Sequence, residues 1–342
     1  MRVAMYYGNN DVRLEDAPAP KIGAGELLIR VMASGICGSD VMEWYRIHKV
    51  PLVLGHEIAG IIEDVGEGVR GYKKGDRITA SHHVPCDKCH YCLSGHQTVC
   101  DTLRKTNFDP GGFCEFARLP SINVEKGVYL LPDEISFEEA TFTEPLACVI
   151  RGQRLSGLKA GQTVIVIGSG ISGLLHIQLA RLNGAKRIIA TDVLEHRLEA
   201  AKKFGADFVF YSKEYTPRKF MDVNEGLLAD LVILCAGAKT AVEQALNSVA
   251  RGGIILFFAA AEKSLAIPLS INDMFWRNEI TLTSSYAAAP SEHIESLRLI
   301  NSRKINVNDM ITHRFGLSET GKGFKLTAEA RDSIKVIIEP QM

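Results

Sequence analysis

Cys86, Cys89, Cys92 and Cys100 are spaced C-x2-C-x2-C-x7-C, four of the chain's eight cysteines within fifteen residues. Four thiolates so close in sequence suit a tetrahedral zinc site with Zn–S bonds of about 2.3 Å. Four protein ligands leave no coordination position for a substrate, so this cluster predicts a structural metal. The string Cys86-Asp87-Lys88-Cys89-His90 also fits the haem-attachment pattern C-x-x-C-H, but that reading gives Cys92 and Cys100 no role. Metal chemistry needs a second site with fewer ligands. Cys37 lies in Ser34-Gly35-Ile36-Cys37-Gly38-Ser39-Asp40, directly after a predicted strand. His56 and Glu57 follow Gly55 at the start of another, and Glu144 stands in Thr143-Glu144-Pro145-Leu146-Ala147. A cysteine, a histidine and a carboxylate from separate segments make an open zinc site, with water or substrate at the remaining position.

A second chemistry-bearing string is Gly168-Ser169-Gly170-Ile171-Ser172-Gly173, a match to G-x-G-x-x-G. It lies between the β-branched run Thr163 to Ile167 and a helical stretch, the context in which the pattern signals a dinucleotide. Gly168 suits the tight turn, Gly170 close approach to a pyrophosphate, and Gly173 helix–strand packing. The helix N-terminus supplies N–H groups for the phosphates. Asp192 follows 19 residues after Gly173, at the end of the next strand, where a carboxylate takes a ribose 2′-hydroxyl. Its charge favours NAD over NADP, although Arg197 is placed to meet a 2′-phosphate.

The elements that must position these groups fall into two textures. Through about residue 150, short apolar alternations such as Glu26 to Met32, Glu57 to Val65 and Phe113 to Leu119 read as strands of a β-rich domain. The cysteine-rich segment, about residues 82–105, has no periodicity and too few apolar residues for a core, so metal must hold it. Beyond residue 158 strands alternate with helices: Thr163 to Ile167, helix 170–183, Arg187 to Thr191, helix 195–204, Phe208 to Tyr211, Leu231 to Cys235, helix 241–250 and Gly253 to Phe258. This pattern predicts a doubly wound parallel sheet. Ser291 to Ser302 reads as a helix and Ser333 to Ile338 as a strand returning to the first domain. The expected α/β organisation is therefore residues 1–150 with 288–342, and a Rossmann domain over 151–287.

Composition narrows the class. At 342 residues two domains are expected, with 46% hydrophobic and 23% charged residues and a formal net charge of −1. A dispersed, near-neutral charge argues against nucleic-acid binding. The opening residues lack a signal-peptide pattern, and Val164 to Ala180 carries too many Gly, Ser, His and Gln residues to span a bilayer. A cytoplasmic enzyme is the expectation, with thiols acting as ligands rather than disulfides.

Taken in order, ICGSD, GHE, the four-cysteine spacing, GGF-x-EF, EPLA, the glycine fingerprint and THRF resemble the zinc-dependent medium-chain dehydrogenases. The sorbitol (polyol) and threonine dehydrogenase branch is nearest, and the likeness runs along essentially the whole chain. The resemblance implies a GroES-like catalytic domain plus a Rossmann domain with the active site between them, and two zinc ions. It implies a catalytic zinc on Cys37, His56 and either Glu57 or Glu144, and a homodimer or homotetramer joined through Glu279 to Ser285. It further implies hydride transfer from a secondary alcohol to NAD, with Ser39 taking the hydroxyl proton. A zinc-free enone or quinone reductase and a non-catalytic zinc-ribbon module are the alternatives.

Two departures from the resembling enzymes bear on substrate. The position five residues after Cys37, often a relay histidine, is Met42. Only 18 residues separate Cys37 from His56, a short substrate loop reading Trp44-Tyr45-Arg46-Ile47-His48-Lys49. Arg46, His48 and Lys49 suit a phosphate or carboxylate on the substrate; outward, solvated charges are the alternative. His82 and His83 read as solvated loop residues, Asp40 as a backbone cap, and His176 as packing. Cys114, Cys148 and Cys235 read as small buried apolar groups.

Overall fold

The computed structural model describes residues 1–267 and 269–342. The chain divides into two compact units, Met1–Ala147 with Ala287–Met342, and Cys148–Tyr286. The first is built on a seven-stranded sheet in the order Ile311–Gly316, Lys335–Glu339, Leu27–Gly35, Glu57–Val65, Arg77–Ser81, Val128–Leu130, with Phe116–Leu119 also paired to Leu27–Gly35. A smaller sheet pairs Asp11–Asp16, Arg2–Gly8 and Leu52–Val53. Leu27, Ile29 and Val31 alternate inward along their strand, as a half-buried strand requires. They join Ile58, Ile62, Tyr6, Phe113 and Phe324 in one core. Phe113 to Glu115 precede the regular strand expected there, because Phe113 accepts from the Ala4 N–H and Cys114 bridges Val3.

Two register facts set up the site. Gly35, at the end of its strand, lies opposite Glu57, the first residue of the next. On the other flank Gly35 pairs with Ile337. The loop after Gly35, the start of Glu57–Val65 and the start of Lys335–Glu339 therefore meet at one end of the sheet.

The cysteine-rich excursion leaves the sheet after Ser81. It contains one helical turn, His90–Leu93, and a 3-10 turn, Gln97–Val99. Its local apolar cluster is only Cys92, Cys100 and Leu103, flanked by Cys86, Cys89 and Ala287. Cross-linking rather than apolar burial must hold it.

The second unit is a six-stranded, all-parallel sheet. Its order is Phe208–Tyr211, Arg187–Asp192, Thr163–Ile167, Ala229–Leu234, Val249–Phe257, Thr281–Ser284. Counted within the unit this is 3-2-1-4-5-6, the order of the dinucleotide-binding Rossmann fold. Every residue of Thr163–Ile167 is buried, as in a strand covered on both faces. His176 packs on the helix Ile171–Leu182, edge-on to Phe258 with centroids 4.6 Å apart, and Gln153 Nε2 donates to its carbonyl at 2.8 Å. Among the described residues no helix is long and apolar enough to cross a membrane.

Candidate metal and dinucleotide sites

The four cysteines expected to share a metal come together. The Cys89–Cys92, Cys86–Cys100 and Cys86–Cys92 sulfur pairs are 3.5, 3.6 and 4.0 Å apart. A tetrahedron with zinc–sulfur bonds of 2.3 Å has edges of about 3.8 Å, so the spacing fits the metal. No disulfide joins any of Cys37, Cys86, Cys89, Cys92, Cys100, Cys114 or Cys235. The Cys100 thiol is pulled down to about 6: burial opposes this, but N–H groups of Cys86, Leu103 and Thr102 outweigh it. A thiol poised to ionise is a ready zinc ligand.

Cys37, His56 and Glu57 form the second group, with one donor atom of each lying within 4.8 Å of the others. The Gly35–Glu57 register puts the Cys37 loop beside His56, so three sequence positions become one site. Cys37 Sγ accepts from the N–H and the hydroxyl of Ser39, each at 3.4 Å. Asp40 is more than a cap. One carboxylate oxygen accepts from the Cys37 N–H at 3.0 Å, and the other faces His56 Nδ1 at 3.3 Å. That orientation reserves His56 Nε2 for a metal, the usual arrangement of a carboxylate-oriented histidine ligand. Burial disfavours charge on both groups. It is outweighed by their mutual attraction, with Cys37 adding to the pull on His56 and Arg46 to that on Asp40. His56 is consequently held well above the usual histidine range and Asp40 below the usual carboxylate range. An electron-rich pocket of this kind attracts a proton or a cation.

Glu144 occupies the first turn of the helix Thr143–Ser156 and does not belong to the Cys37–His56–Glu57 group. Glu57 has a competitor that sequence reasoning missed. Lys335 hydrogen-bonds its Oε2 and donates to the Ile36 carbonyl at 3.2 Å, with both charged side chains fully enclosed. They meet over Gly35. A Cβ there would strike Glu57 Oε2 and come within 2.6 Å of Lys335 Cε. The available signal was a lone lysine opening the apolar run Lys335-Val336-Ile337-Ile338.

Two expectations are corrected. His82 and His83 are half-buried rather than open to solvent: the His82 ring lies tilted 4.7 Å from His56 and 3.8 Å from His83, and His83 Nδ1 contacts the Thr106 carbonyl at 2.8 Å. Burial pushes both imidazoles down, His83 to about 4, so they stand neutral beside the site. Arg46 does not share an outward cluster with His48 and Lys49. Its guanidinium turns to the Ser39 carbonyl at 3.1 Å, while His48 and Lys49 are exposed.

In the second unit the glycine-rich turn has the expected form. Gly168 adopts φ +94°, a left-handed conformation, and a Cβ would meet Cys235 and Ala236 at 3.1 Å across the strand-order reversal. A Cβ on Gly173 would strike the Gly168 carbonyl. The helix begins at Ile171, so the N–H groups of its first turn, including Ile171 and Ser172, face outward along the axis. Asp192 ties the turn together. It accepts from the N–H groups of Ser169 at 2.7 Å, Val193 at 2.7 Å and Leu194 at 3.0 Å. The Arg197 guanidinium lies 3.7 Å from the place of a Gly170 Cβ, facing the same turn.

Residues 23–133 match the alcohol dehydrogenase GroES-like domain family, and residues 172–302 match the zinc-binding dehydrogenase family. The chain is 30% identical to the sorbitol dehydrogenase of Gallus gallus, over 96% of this chain and 93% of that protein. It is 33% identical to the L-threonine 3-dehydrogenase of Bacillus licheniformis, over 97% and 96%. The crystal structure of galactitol-1-phosphate dehydrogenase from Escherichia coli superposes with a TM-score of 0.87 at 28% identity, covering 99% of this chain and all of that one. Full-length agreement of this kind, on a chain that gathers both sets of zinc-ligand residue types, leaves one assignment: the chain belongs to the zinc-dependent medium-chain dehydrogenases, in the sorbitol and threonine dehydrogenase branch, and is an enzyme of the alcohol dehydrogenase class.

Proposed function

We propose that this dehydrogenase oxidises a secondary alcohol on a polyol, a sugar alcohol or its phosphate, a cyclitol or a hydroxy-amino acid, passing hydride to NAD and giving the ketone. The observation that carries the reading is the convergence of Cys37, His56 and Glu57 at the ends of neighbouring strands, with Asp40 behind His56. Cys37, His56 and a glutamate would hold the catalytic zinc, and Cys86, Cys89, Cys92 and Cys100 a structural one. Zinc, when bound, supplies a Lewis acid that lowers the pKa of the substrate hydroxyl. Glu57 is favoured over Glu144 as the carboxylate because its oxygen falls within the donor group, although Lys335 competes for it.

Each remaining role belongs to a side chain of the chain itself. Asp40 holds the His56 ring with Nε2 toward the cysteine. Ser39, whose hydroxyl already lies 3.4 Å from Cys37 Sγ, receives the substrate's proton. Met42 cannot pass that proton on, so it leaves through water, the cofactor ribose or His48. The fingerprint residues Gly168 to Gly173 receive the pyrophosphate. Asp192 supports NAD by placing negative charge beside the turn, and Arg197 is the residue through which NADP would bind. A cytoplasmic homo-oligomer is the setting proposed, with Thr281–Ser284, the edge strand of its sheet, as the strand through which copies would join.

The zinc-free reductase and the zinc-ribbon module both give way to dehydrogenase relatives matched over more than nine-tenths of the chain. The direct test is NAD reduction by zinc-replete protein over D-sorbitol, galactitol 1-phosphate, myo-inositol and L-threonine. Turnover of at least one is expected. Failure with all four, zinc and NAD being bound, overturns the proposal.

A further inference from the structure

We infer that Arg46 is the positioning residue of the Cys37 loop, fixing Ser39 and Asp40 from the place where a relay histidine would otherwise act. This inference rests on the proposed roles of Cys37, Ser39 and His56. Its starting point is a turn of helix. The Arg46 N–H donates to the Met42 carbonyl at 3.2 Å, so residue 46 lies one turn beyond residue 42 on the same face. Met42 offers no polar atom suited to Ser39; Arg46 offers a fork. Its Nε donates to the Ser39 carbonyl at 3.1 Å and its Nη2 to Ser39 Oγ at 3.4 Å. The same Nη2 lies 3.6 Å from Asp40 Oδ1, the oxygen that faces His56 Nδ1. The Tyr45 ring covers the guanidinium at 4.9 Å, and only 15% of the arginine side chain is exposed.

The geometry joins two arms. Along one, Arg46 donates to Ser39, and the Ser39 hydroxyl donates to Cys37 Sγ. Along the other, Arg46 faces Asp40, and Asp40 orients His56. One planar cation therefore fixes what lies behind two of the three proposed zinc ligands. Lysine cannot reproduce this, because a single ammonium does not span a carbonyl, a hydroxyl and a carboxylate as a rigid fork. The arrangement also removes Arg46 from anion recognition. An arginine held on Ser39 and Asp40 is not available to a substrate phosphate, which leaves that task to the exposed His48 and Lys49.

The test compares Arg46→Gln, Arg46→Lys and Lys49→Gln with the unaltered enzyme. Cobalt(II) is exchanged into the Cys37 site to read its thiolate-to-metal absorption, and NAD reduction is measured with D-sorbitol and with galactitol 1-phosphate. Arg46→Gln is expected to shift the cobalt band and lower kcat about 10–100-fold on whichever substrate turns over, as loss of a ligand-orienting partner does. KM should change less than threefold. Arg46→Lys should fall between, and Lys49→Gln should leave the band unmoved. An unshifted band in Arg46→Gln overturns the inference, as does a rise in KM confined to the phosphate. If the unaltered enzyme turns over neither substrate, that failure counts against those substrates under the proposed function, while the cobalt band still decides the role of Arg46.

Discussion

The cysteine lobe draws its donors from fifteen consecutive residues, all within one excursion from the sheet. Cys37, His56 and Glu57, the proposed catalytic ligands, come instead from the ends of two strands, and each already has a protein partner. Cys37 accepts from Ser39, His56 faces Asp40, and Glu57 is bound by Lys335. In the lobe the sulfurs have one another and backbone N–H groups of the lobe itself, with no competing charged side chain, among the described residues, of the kind Lys335 offers Glu57. Full commitment to metal suits a part that must never open. Ligands with alternative partners suit a site whose coordination changes during turnover, since a donor that leaves the metal has somewhere to go.

Substitution in the lobe should have the largest effect. Cys89→Ser removes one of four thiolates from a segment with almost no core. Structural zinc in small domains contributes on the order of 10 kcal/mol. We expect that zinc to be lost and limited proteolysis to cut within residues 82–105, while the Cys37 site still binds cobalt. Loss of both metals together would dissolve the contrast. Cys37→Ser should do the reverse, leaving one zinc per chain and an unchanged melting temperature but lowering kcat/KM about 10³-fold or more, equivalent to several kcal/mol of lost Lewis-acid stabilisation. Metal analysis beside kinetics checks both halves.

Lys335 tests the idea of an alternative partner. Lys335→Met leaves the enclosed Glu57 carboxylate without its cation, which in metal-free protein should cost about 3–5 kcal/mol in denaturant unfolding. Saturating zinc should restore part of that loss, and adding Glu57→Gln should restore most of it. Equal destabilisation with and without zinc would show that Glu57 never turns to the metal.

The effect that is smallest near neutral pH separates acid damage to the fold from acid release of metal. Burial pushes His176 down to about 3 from an ordinary value near 6.5. Between these values the unfolded chain binds the extra proton. Stability is therefore complete above about pH 6.5 and falls as pH drops toward 3, by at most about 1.4 kcal/mol per pH unit. His176→Leu should flatten this slope in thermal melts of metal-stripped protein. A slope unchanged by the substitution would place the acid sensitivity elsewhere.

What could be read from sequence follows the same division. The lobe was legible because its information is local: spacing alone fits four sulfurs around one ion. The glycine turn was legible because Thr163–Ile167 and the helix after it announce themselves by period. Cys37, His56 and Glu57 could be named as candidates, and their meeting depended on the Gly35–Glu57 register. Lys335 was beyond reach, because it meets Glu57 through a strand pairing made 278 residues away. His82 and His83 misled for a related reason. Their polarity and loop setting suggested solvent, whereas His82 packs against His56 and His83 against His82, leaving both half-buried. Arg46 was noticed for its charge, but only the turn from Met42 shows which way that charge points.

The pairing of Glu57 with Lys335 has a consequence for the chain as it is made. Cys37, His56 and Glu57 all leave the ribosome within the first sixty residues, and Lys335 follows Glu57 by 278 residues. At ordinary elongation rates of 5–20 residues per second the interval is on the order of tens of seconds. Throughout it the glutamate has no lysine to face, and a zinc ion reaching the nascent chain meets three donors without their chief rival. Under the proposed zinc site, synthesis gives the metal first claim on Glu57, and the strand Lys335–Glu339 arrives later to contest it.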